Sequence, residues 1–298
     1  MNNKTAGSYF KERFGEKVYR IAIDGGFTCP NRDGTLGYGG CIFCSGHGSG
    51  DFAMDRNLSI TAQIEKGKES VLRKMPAGGK FIAYFQAFTG TYDRVERLKQ
   101  VYEEAVSHPD IVALSIATRP DCLPDEVIDL LRSLCSIKPV MVELGLQTIH
   151  ERTAEYIRRG YPLSVYDDAL TRLSAAGIEV ITHIILGLPG ESRDDMLKTV
   201  SYVAKGPVSG IKLQLLHVLQ GTDLAKEYSR GSFRCLSMEE YTDLVRDCIK
   251  LLPEHVVIHR MTGDGARNDL IAPLWSTDKK RVLNTLKRKL GPDIEWTR

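Results

Sequence analysis

The sequence predicts an α/β protein built as an open, partial (β/α)6 barrel with a small C-terminal extension. Segments with the pattern of buried strands alternate with segments of helical period, and no low-complexity linker divides them. Polar or glycine-rich loops follow the strands, at the end where parallel sheets bind their ligands. The chain has 298 residues, which is enough to bury a substantial core.

Six segments have the aliphatic and β-branched content of buried strands. They are predicted at 17–24, 80–88, 111–118, 139–148, 178–188 and 210–219. The helices between them have clear end signals. Proline opens "PDEVIDLLRSLC", Gly177 closes "SVYDDALTRLSAAG", and "SMEEYTDLVRDCIKLL" (237–252) is the last helix of the series. Six strand-helix units are fewer than the eight of a complete barrel, so an open barrel is expected.

We expect two parts along the chain. Residues 1–252 form the barrel, with a cysteine-bearing loop at 29–44 near its start. Residues 253–298 form an extension that adds the strand "VVIHR", a loop containing glycine and a basic helix, as an appended cap.

Composition excludes several classes of protein. Hydrophobic residues make up 42% of the chain and charged residues 26%, which are ordinary globular values. No apolar run approaches the roughly 20 residues that span a bilayer, and "MNNKTAGSYFKERFGEKVY" lacks the apolar centre of a signal peptide. We therefore expect a cytoplasmic chain with no membrane partner. The odd count of seven cysteines also argues against a disulfide framework.

Three cysteines lie in one glycine-rich loop, "FTCPNRDGTLGYGGCIFCSGHGSGDF" (27–52), which follows the first predicted strand. Thiolates select zinc, copper(I) or iron–sulfur clusters. One interpretation is a structural zinc ion held by Cys29, Cys41, Cys44 and His47. The other is a [4Fe–4S] cluster, in which three thiolates leave one iron open to another ligand. The remaining cysteines fall in or beside predicted helices and are expected to be unligated: Cys122, Cys135, Cys235 and Cys248.

The formal net charge is only +2, but the segment "KKRVLNTLKRKL" (279–290) holds six cations and no acid. Charge alone favours a solvated helix face. The same pattern is also typical of a nucleic-acid binder.

A series of motifs resembles the radical S-adenosylmethionine superfamily and, within it, the YtqA/YhcC-type branch related to the catalytic subunit of elongator. The motifs extend from about residue 8 to 290: "CPNRDGTLGYGGCIFC", "YFQAFTGTY", "SIATRPDCL", "VELGLQTIHERT", "ILGLPGES", "LLHVLQGTDLA" and "VIHRMTGDG". The commonest superfamily signature spaces its cysteines three-then-two, whereas this chain has eleven-then-two, as this branch does. We expect no appended acetyltransferase domain, so the complete elongator reaction is not implied.

The resemblance implies two cofactors, a [4Fe–4S] cluster and S-adenosylmethionine, within a TIM-like radical SAM barrel. Cys29, Cys41 and Cys44 would hold the cluster, and the methionine end of S-adenosylmethionine would chelate the open iron. One electron from the cluster would then cleave the sulfonium to give a 5′-deoxyadenosyl radical, while the protein positions both cofactors. A one-electron donor of the flavodoxin or ferredoxin type is the implied partner.

Several residues match the family's cofactor-binding positions. Phe43 would pack on the adenine, and Gln86, Ala87 and Phe88 occupy the strand end that contacts the methionine amino group. Glu143 and Gln147 share one strand face, which suits ribose hydroxyls.

For some of these positions a structural role is the alternative. Glu143 could instead be a buried carboxylate paired with Arg119. Arg159 is either a partner for a ligand carboxylate or an exposed arginine at a helix end, and Gly187 either approaches the adenine or only turns the chain. His183 and His217 are expected to be core histidines. No catalytic acid, base or hydrogen donor can be named from the sequence.

The resemblance to the elongator branch also implies transfer RNA as substrate. The reaction would convert a carboxymethylaminomethyl group to aminomethyl at C5 of the wobble uridine, and a methyltransferase could act downstream. The expected RNA contacts are the cations of the basic helix: Lys279, Lys280, Arg281, Lys287, Arg288 and Lys289. Two alternatives stay open, a radical enzyme acting on a small molecule and a zinc-binding, non-catalytic nucleic-acid-binding protein.

Overall fold

Helices and strands alternate along the computed structural model, which describes residues 3–48, 50–72, 79–263, 268–291 and 294–296. In chain order the elements are β1 (Asn3–Lys4), α1 (Ala6–Phe14), β2 (Val18–Ile23), α2 (Ile60–Leu72), β3 (Lys80–Phe85), α3 (Val95–Ser107), β4 (Ile111–Thr118), α4 (Asp125–Cys135), β5 (Val140–Gln147), α5 (Glu151–Tyr156), α6 (Leu163–Ala175), β6 (Glu179–Leu186), α7 (Arg193–Ala204), β7 (Gly210–Leu215), β8 (Val218–Leu219), α8 (Asp223–Ser229), α9 (Met238–Lys250), β9 (Val257–Arg260), β10 (Leu270–Ala272), α10 (Lys279–Leu290) and β11 (Ile294–Glu295).

Seven parallel strands form one curled sheet in the order β2-β3-β4-β5-β6-β7-β9, a half-barrel. The predicted α/β partial barrel is therefore confirmed, with one strand more than expected. That strand is β9, which lies in the segment expected to be an appended cap and pairs with β7 from Gly210↔Val257 to Lys212↔Arg260. Strand β9 has only four residues and comes shortly after the predicted last helix. Its sequence pattern therefore does not show whether it belongs to the barrel sheet or to a separate unit. The domain boundary near residue 252 stays a prediction.

Alternation along the strands divides the interior into two cores. One face of the sheet packs against the surrounding helices and forms the large hydrophobic core. The other face points into the half-barrel, where a smaller cluster lies near the start of the strands. This cluster contains Phe10 of α1 packed on Ile82, Ala113, Met141 and Ile181.

Helix α1 closes the N-terminal end of the half-barrel. The Thr5 hydroxyl caps its first turn by accepting from the Ser8 amide, and Gly15 ends it in the left-handed region at φ 77°. The chain termini meet beside it, because β1 pairs in parallel with β11 through Asn3↔Ile294 and Lys4↔Glu295.

The C-terminal segment packs against the barrel. Helix α10 buries Val282, Leu286 and Leu290 in the main core. The last two residues of "VIHRMTGDG" lie outside the described residues. Within the described ranges, no helix combines the length and apolar content that crossing a bilayer requires.

Candidate active site

The cysteine loop after β2 is held in a defined shape by its own backbone and by the segment that follows α5. The Cys29 carbonyl accepts from the Arg32 amide at 2.8 Å, and the Cys44 amide donates to the Cys41 carbonyl at 3.0 Å. The buried Asn31 side chain donates to the Arg158 carbonyl at 2.8 Å, and its amide nitrogen lies 3.5 Å from Cys41 Sγ. The many glycines therefore allow a tight, hydrogen-bonded wrap in place of a regular element.

Cys29, Cys41 and Cys44 line one cleft at the C-terminal ends of the strands, which encloses about 910 Å³ including its open mouth. All three are free thiols. Among the described residues, the three sulfurs do not form a group in which every atom lies within 4.8 Å of the others. Tetrahedral zinc, with Zn–S bonds of about 2.3 Å, needs sulfurs under about 4 Å apart.

The geometry therefore does not support the Cys3His zinc interpretation, and His47 is exposed outside the lining of the cleft. A cluster of several irons, which takes each thiolate on a different iron, suits the wider spacing. Burial, followed by the neighbouring Cys44, raises the pKa of Cys41 to about 12. Such a thiol becomes a thiolate when a bound metal supplies positive charge.

The four other cysteines lie elsewhere among the described residues. Cys122 and Cys248 are buried, and Cys135 and Cys235 are half-buried. None of them lines the cleft of the three thiols, and Cys122 lines a neighbouring groove instead. Their expected lack of a ligand role stays a prediction.

The structure brings most of the predicted cofactor-binding residues to the cleft. Ala87 lies between Gln86 and Phe88 in the sequence and is buried, with 3% of its surface exposed. Gly187 is outside the lining of the cleft; it adopts φ 92°, and its amide donates to Met196 Sδ at 3.0 Å. The cleft-lining members of the predicted set are Phe43, Gln86, Phe88, Glu143, Gln147 and Arg159.

Backbone strain is concentrated around the cleft. In the described residues, the non-glycine residues with positive φ are Phe88 at 57°, Gln147 at 64° and Arg158 at 58°. Phe88 and Gln147 line the cleft, and the Arg158 carbonyl lies 3.6 Å from Cys41 Sγ. Such conformations cost about 1–3 kcal/mol each and persist only where surrounding contacts enforce them.

Glu143 is the centre of a buried polar network beneath the cleft. Ser115 Oγ donates to its Oε1 at 2.8 Å, and His183 Nε2 lies 2.8 Å from its Oε2. The ammonium of Lys212, from β7, forms an ion pair with the same carboxylate and donates to the Tyr84 hydroxyl at 3.1 Å. The alternative of a buried Glu143 paired with a cation is therefore found, but the cation is Lys212 and not Arg119.

Arg119 is instead held by its own turn. It makes a bidentate pair with Asp121, with Nε–Oδ1 and Nη2–Oδ2 distances of 2.9 and 2.6 Å. The three-residue turn that begins at Pro120 brings this carboxylate next to the guanidinium. Such a pair satisfies the geometry of both groups, so Arg119 is held by Asp121 rather than by Glu143.

Burial and neighbouring charges shift the pKa values of this network. Burial alone would raise the pKa of Glu143, but Lys212, His183 and Arg20 hold it well below its usual range. Burial lowers the pKa of Lys212 to about 7, with Glu143 opposing that change. Burial and Lys212 together lower the pKa of His183 to about 4, so this imidazole is neutral at pH 7.

Arg159 is buried, so the exposed helix-end alternative is wrong. Its side chain is 1% exposed and donates to the carbonyls of Leu146 and Thr148 at 3.2 and 2.6 Å. Its Nε donates to the Tyr161 carbonyl at 2.9 Å, and the guanidinium lies 4.8 Å from the Tyr161 ring centre. These contacts fix the loop after β5, in which Gln147 is strained.

The polar residues that line or underlie the cleft and that sequence reasoning missed include Tyr84, Lys212, Gln214 and Arg260. The available signal was alternation, because polar residues at 212 and 214 interrupt the apolar string "GIKLQLL" on one face. Arg260 gave no such signal, since its strand was assigned to the extension.

The basic helix α10 keeps most of its cations in solvent. Lys279, Lys280, Arg281, Lys287 and Arg288 are exposed. Lys289 is not, because its ammonium lies 2.9 Å from Asp243 and its side chain is only 15% exposed. Lys287 also lies 5.3 Å from the centre of the Trp296 ring.

Two family models match the chain. The model of the radical SAM superfamily matches residues 29–203, and the model of the radical SAM C-terminal domain matches residues 208–291. The chain belongs to the radical SAM superfamily. Membership implies a [4Fe–4S] cluster and S-adenosylmethionine, together with a reductant.

Full-length relatives identify the branch of this radical SAM protein. It is 46% identical to YtqA of Bacillus subtilis, over 96% of this chain and 88% of YtqA. It is 38% identical to YhcC of Escherichia coli, over 96% of this chain and 91% of YhcC. The predicted resemblance to the YtqA/YhcC-type branch is confirmed.

The matches to more distant relatives cover only parts of larger proteins. A tRNA uridine(34) acetyltransferase of Methanocaldococcus jannaschii is 28% identical over 51% of this radical SAM chain and 28% of its own length. Among solved structures, the archaeal Elp3 of Methanocaldococcus infernus superposes with a TM-score of 0.68 at 20% identity, covering 91% of this chain and 63% of that chain. At that identity the structural match establishes the fold alone.

Proposed function

We propose that this radical SAM enzyme modifies the C5 side chain of the wobble uridine in transfer RNA, converting carboxymethylaminomethyl to aminomethyl. The observation that carries the proposal is the three-thiol cleft, which opens directly onto a polar barrel interior. The transfer RNA part is supported by similarity, over about half of the chain, to a tRNA uridine(34) acetyltransferase.

Cys29, Cys41 and Cys44 would hold the cluster in this proposal, with Asn31 supporting the loop from below. When bound, the cluster and S-adenosylmethionine supply a 5′-deoxyadenosyl radical that removes hydrogen from substrate. The Arg32 guanidinium donates to the carbonyls of Cys44 and Ser45 at 3.0 and 2.6 Å, so it fixes the turn that carries the last thiol.

The cofactor-binding assignments follow from the positions in the cleft. Phe43 would pack on the adenine, and Gln86 with the backbone of Ala87 and Phe88 would meet the amino group of methionine. Gln147 would contact the ribose, because its strained backbone directs it into the cleft.

Three residues of the predicted set are assigned structural roles. Both oxygens of Glu143 bond protein groups, so we assign it to holding Lys212 and His183 in place. Arg159 would support the Gln147 loop, and Gly187 the turn before α7.

The exposed cations of α10 would meet phosphates, which give affinity with little information about base identity. A flavodoxin- or ferredoxin-type donor would reduce the cluster, and a methyltransferase could use the aminomethyl product. The small-molecule alternative predicts that transfer RNA is neither bound nor changed.

Mass spectrometry of transfer RNA nucleosides from cells lacking the gene tests the proposal. We expect 5-carboxymethylaminomethyluridine to accumulate and its aminomethyl derivatives to disappear. Wild-type chain should restore them, and Cys29→Ala should not. An unchanged nucleoside profile would exclude this substrate.

A charge-reversal series tests the role of α10. Lys279, Lys280 and Lys287 changed together to Glu should weaken transfer RNA binding and reduce the salt slope by roughly one unit per lost contact. A matched control reverses Lys66, Lys99 and Lys205, which are exposed on α2, on α3 and directly after α7. Equal losses in both triple variants would show a non-specific charge effect and contradict the assignment.

A further inference from the structure

Positive charge exceeds negative charge in the described part of the barrel interior. Arg20 Nη2 lies 3.7 Å from Glu143 Oε1, and Lys212 pairs with the same carboxylate, so two cations share one anion. The side chains of Glu143 and Lys212 are 0% and 1% exposed. Arg20 also contacts His259 Nδ1 at 2.7 Å, and burial and the nearby Arg20 keep the pKa of His259 well below its usual range.

A second cavity adjoins the cysteine cleft above this network. Arg260 and His183 line both spaces. Three amide side chains, Gln86, Gln147 and Gln214, also line both, and Gln214 Nε2 lies 3.3 Å from His183 Nδ1. Asp51 is the carboxylate among the described residues of the second cavity, and it accepts from Ser45 Oγ at 3.1 Å.

The chemistry of this lining matches a carboxylate. A guanidinium offers parallel donors to two carboxylate oxygens, and primary amides offer further N–H groups. A carboxylate brought here would also offset the surplus cations. Burial is the main cause of the lowered pKa of Lys212, and the nearby Arg20 and Arg260 lower it further. Arg260 and Gln214 are half-buried, and partial removal from water makes such interactions stronger than they would be in bulk solvent.

We propose that Arg260, with Gln214 beside it, binds a carboxylate of the substrate and thereby selects a negatively charged side chain over a neutral one. The inference rests on the proposed function, in which the substrate side chain ends in a carboxylate and the product does not. Arg260 is then a specificity-determining residue.

The methionine carboxylate of S-adenosylmethionine is the other source of the same chemistry. The lining of the second cavity argues for the substrate. Arg260 lines both spaces, whereas Cys29 and Cys41 line the cysteine cleft and not the second cavity. The methionine end belongs with the thiols, so the space that extends past Arg260 is left to the substrate.

The test measures binding to reconstituted holoenzyme containing S-adenosylmethionine. The probes are one anticodon stem–loop carrying 5-carboxymethylaminomethyluridine and the same stem–loop carrying its methyl ester, which removes the charge and keeps the shape. Wild-type protein should prefer the acid by about tenfold or more. Arg260→Met should bring the ratio near one, and Arg260→Lys should keep part of it.

The matched control is Arg172→Met, which removes a surface arginine paired with Asp125 and should leave the ratio unchanged. The Kd for S-adenosylmethionine is measured in every variant, and thermal unfolding checks that each is folded. An Arg260→Met variant that keeps the acid preference overturns the proposal, and so does one whose only change is weaker S-adenosylmethionine binding.

A small probe separates this inference from the proposed function. If wild-type holoenzyme binds neither stem–loop, the proposed substrate fails, and N-methylglycine and its methyl ester are then compared by thermal shift. Stabilisation by the acid alone, lost in Arg260→Met, still supports the carboxylate site. Equal or absent shifts with both compounds overturn it.

Discussion

The two ends of the half-barrel are built from the same strands but have opposite character. At the N-terminal end, Phe10 of α1 seals an apolar cluster, and the first turn of that helix is capped by Thr5. At the C-terminal end lie the thiols, the buried charges and the strained residues Phe88 and Gln147.

The change occurs along single strands. In β3 the inward positions proceed from Ile82 to Tyr84, with Gln86 directly beyond, and in β6 they proceed from Ile181 to His183. In β5 the same face carries Met141 and then Glu143. The apolar residues that pack on Phe10 and the polar residues of the cleft are therefore separated by two residues of strand, about 7 Å. The apolar end can therefore hold the strands in register while the other end accommodates strain and charge.

The largest expected effect comes from the cleft end. Replacing Cys29, Cys41 or Cys44 by Ala should remove the cluster and reduce S-adenosylmethionine cleavage by at least about a thousandfold, about 4 kcal/mol. Iron and sulfide analysis with a cleavage assay measures this. The control changes Cys122, Cys135, Cys235 and Cys248 together to Ala and should keep its iron; full activity with zinc alone in the wild type would contradict the assignment.

The next effect belongs to the sealed end. Phe10→Ala should lower the free energy of unfolding by about 3–5 kcal/mol, because it leaves a cavity among four buried side chains. Denaturant unfolding measures it, and Phe52→Ala, at a side chain 49% exposed, is the matched control. Equal small losses in both variants would mean that α1 does not seal the barrel.

The third prediction concerns the pH dependence of stability at the cleft end, where His183 lies. Because the pKa of His183 is about 4 in the folded chain and about 6.5 when unfolded, the unfolded chain takes up the proton first on acidification. The stability that the folded chain gains from a neutral His183 is therefore complete above about pH 6.5. It is lost as the pH falls to about 4, and the loss is on the order of 3 kcal/mol. Lys212 and Arg260 face His183 and help to keep it neutral, while Glu143 opposes them.

Urea unfolding of the apoprotein and of His183→Gln at pH 7, 6, 5 and 4 measures this effect. The advantage of wild type over the variant should shrink steadily towards pH 4. A difference that stays constant over the series would show that His183 does not titrate in this way.

The smallest effect concerns strain. Gln147→Gly relieves a positive φ, whereas Gln214→Gly weakens a strand residue of β7 that has no such strain. Gln147→Gly should therefore be the more stable variant by about 1–2 kcal/mol in chemical unfolding. Loss of the amide should nevertheless weaken S-adenosylmethionine binding, and equal stabilities would mean that the loop after β5 is unstrained.

Much of the fold could be predicted because buried strands and amphipathic helices leave a periodic pattern. The strand predicted at 139–148 is Val140–Gln147, and the one at 178–188 is Glu179–Leu186. The four-residue β9 was misplaced because pairing between distant strands leaves no local signal. Its position depends on β7, which ends more than 40 residues earlier.

The location of the site was predictable from the sequence, but the partners of its charged side chains were not. The spacing of the thiols and the loops after the strands indicated where the cleft lies. The partner of Glu143 could not be read from the sequence, because Lys212 is 69 residues away and two strands across in the sheet. The two alternatives for Arg159 stayed open for the same reason, since the carbonyls that bind it lie at the end of β5 and just after it, and only the tertiary structure brings them to the guanidinium.

The pairing of β1 with β11 has a consequence for synthesis on the ribosome. Asn3 donates to the carbonyls of Pro253 and Val256, and Thr5 donates its amide to the Glu295 carbonyl at 3.1 Å. The contact with Glu295 cannot form until that residue has left the exit tunnel. Each growing chain therefore lacks the β1–β11 pair until residues 294 and 295 have emerged, although the strands from β2 to β7 have left the tunnel before them.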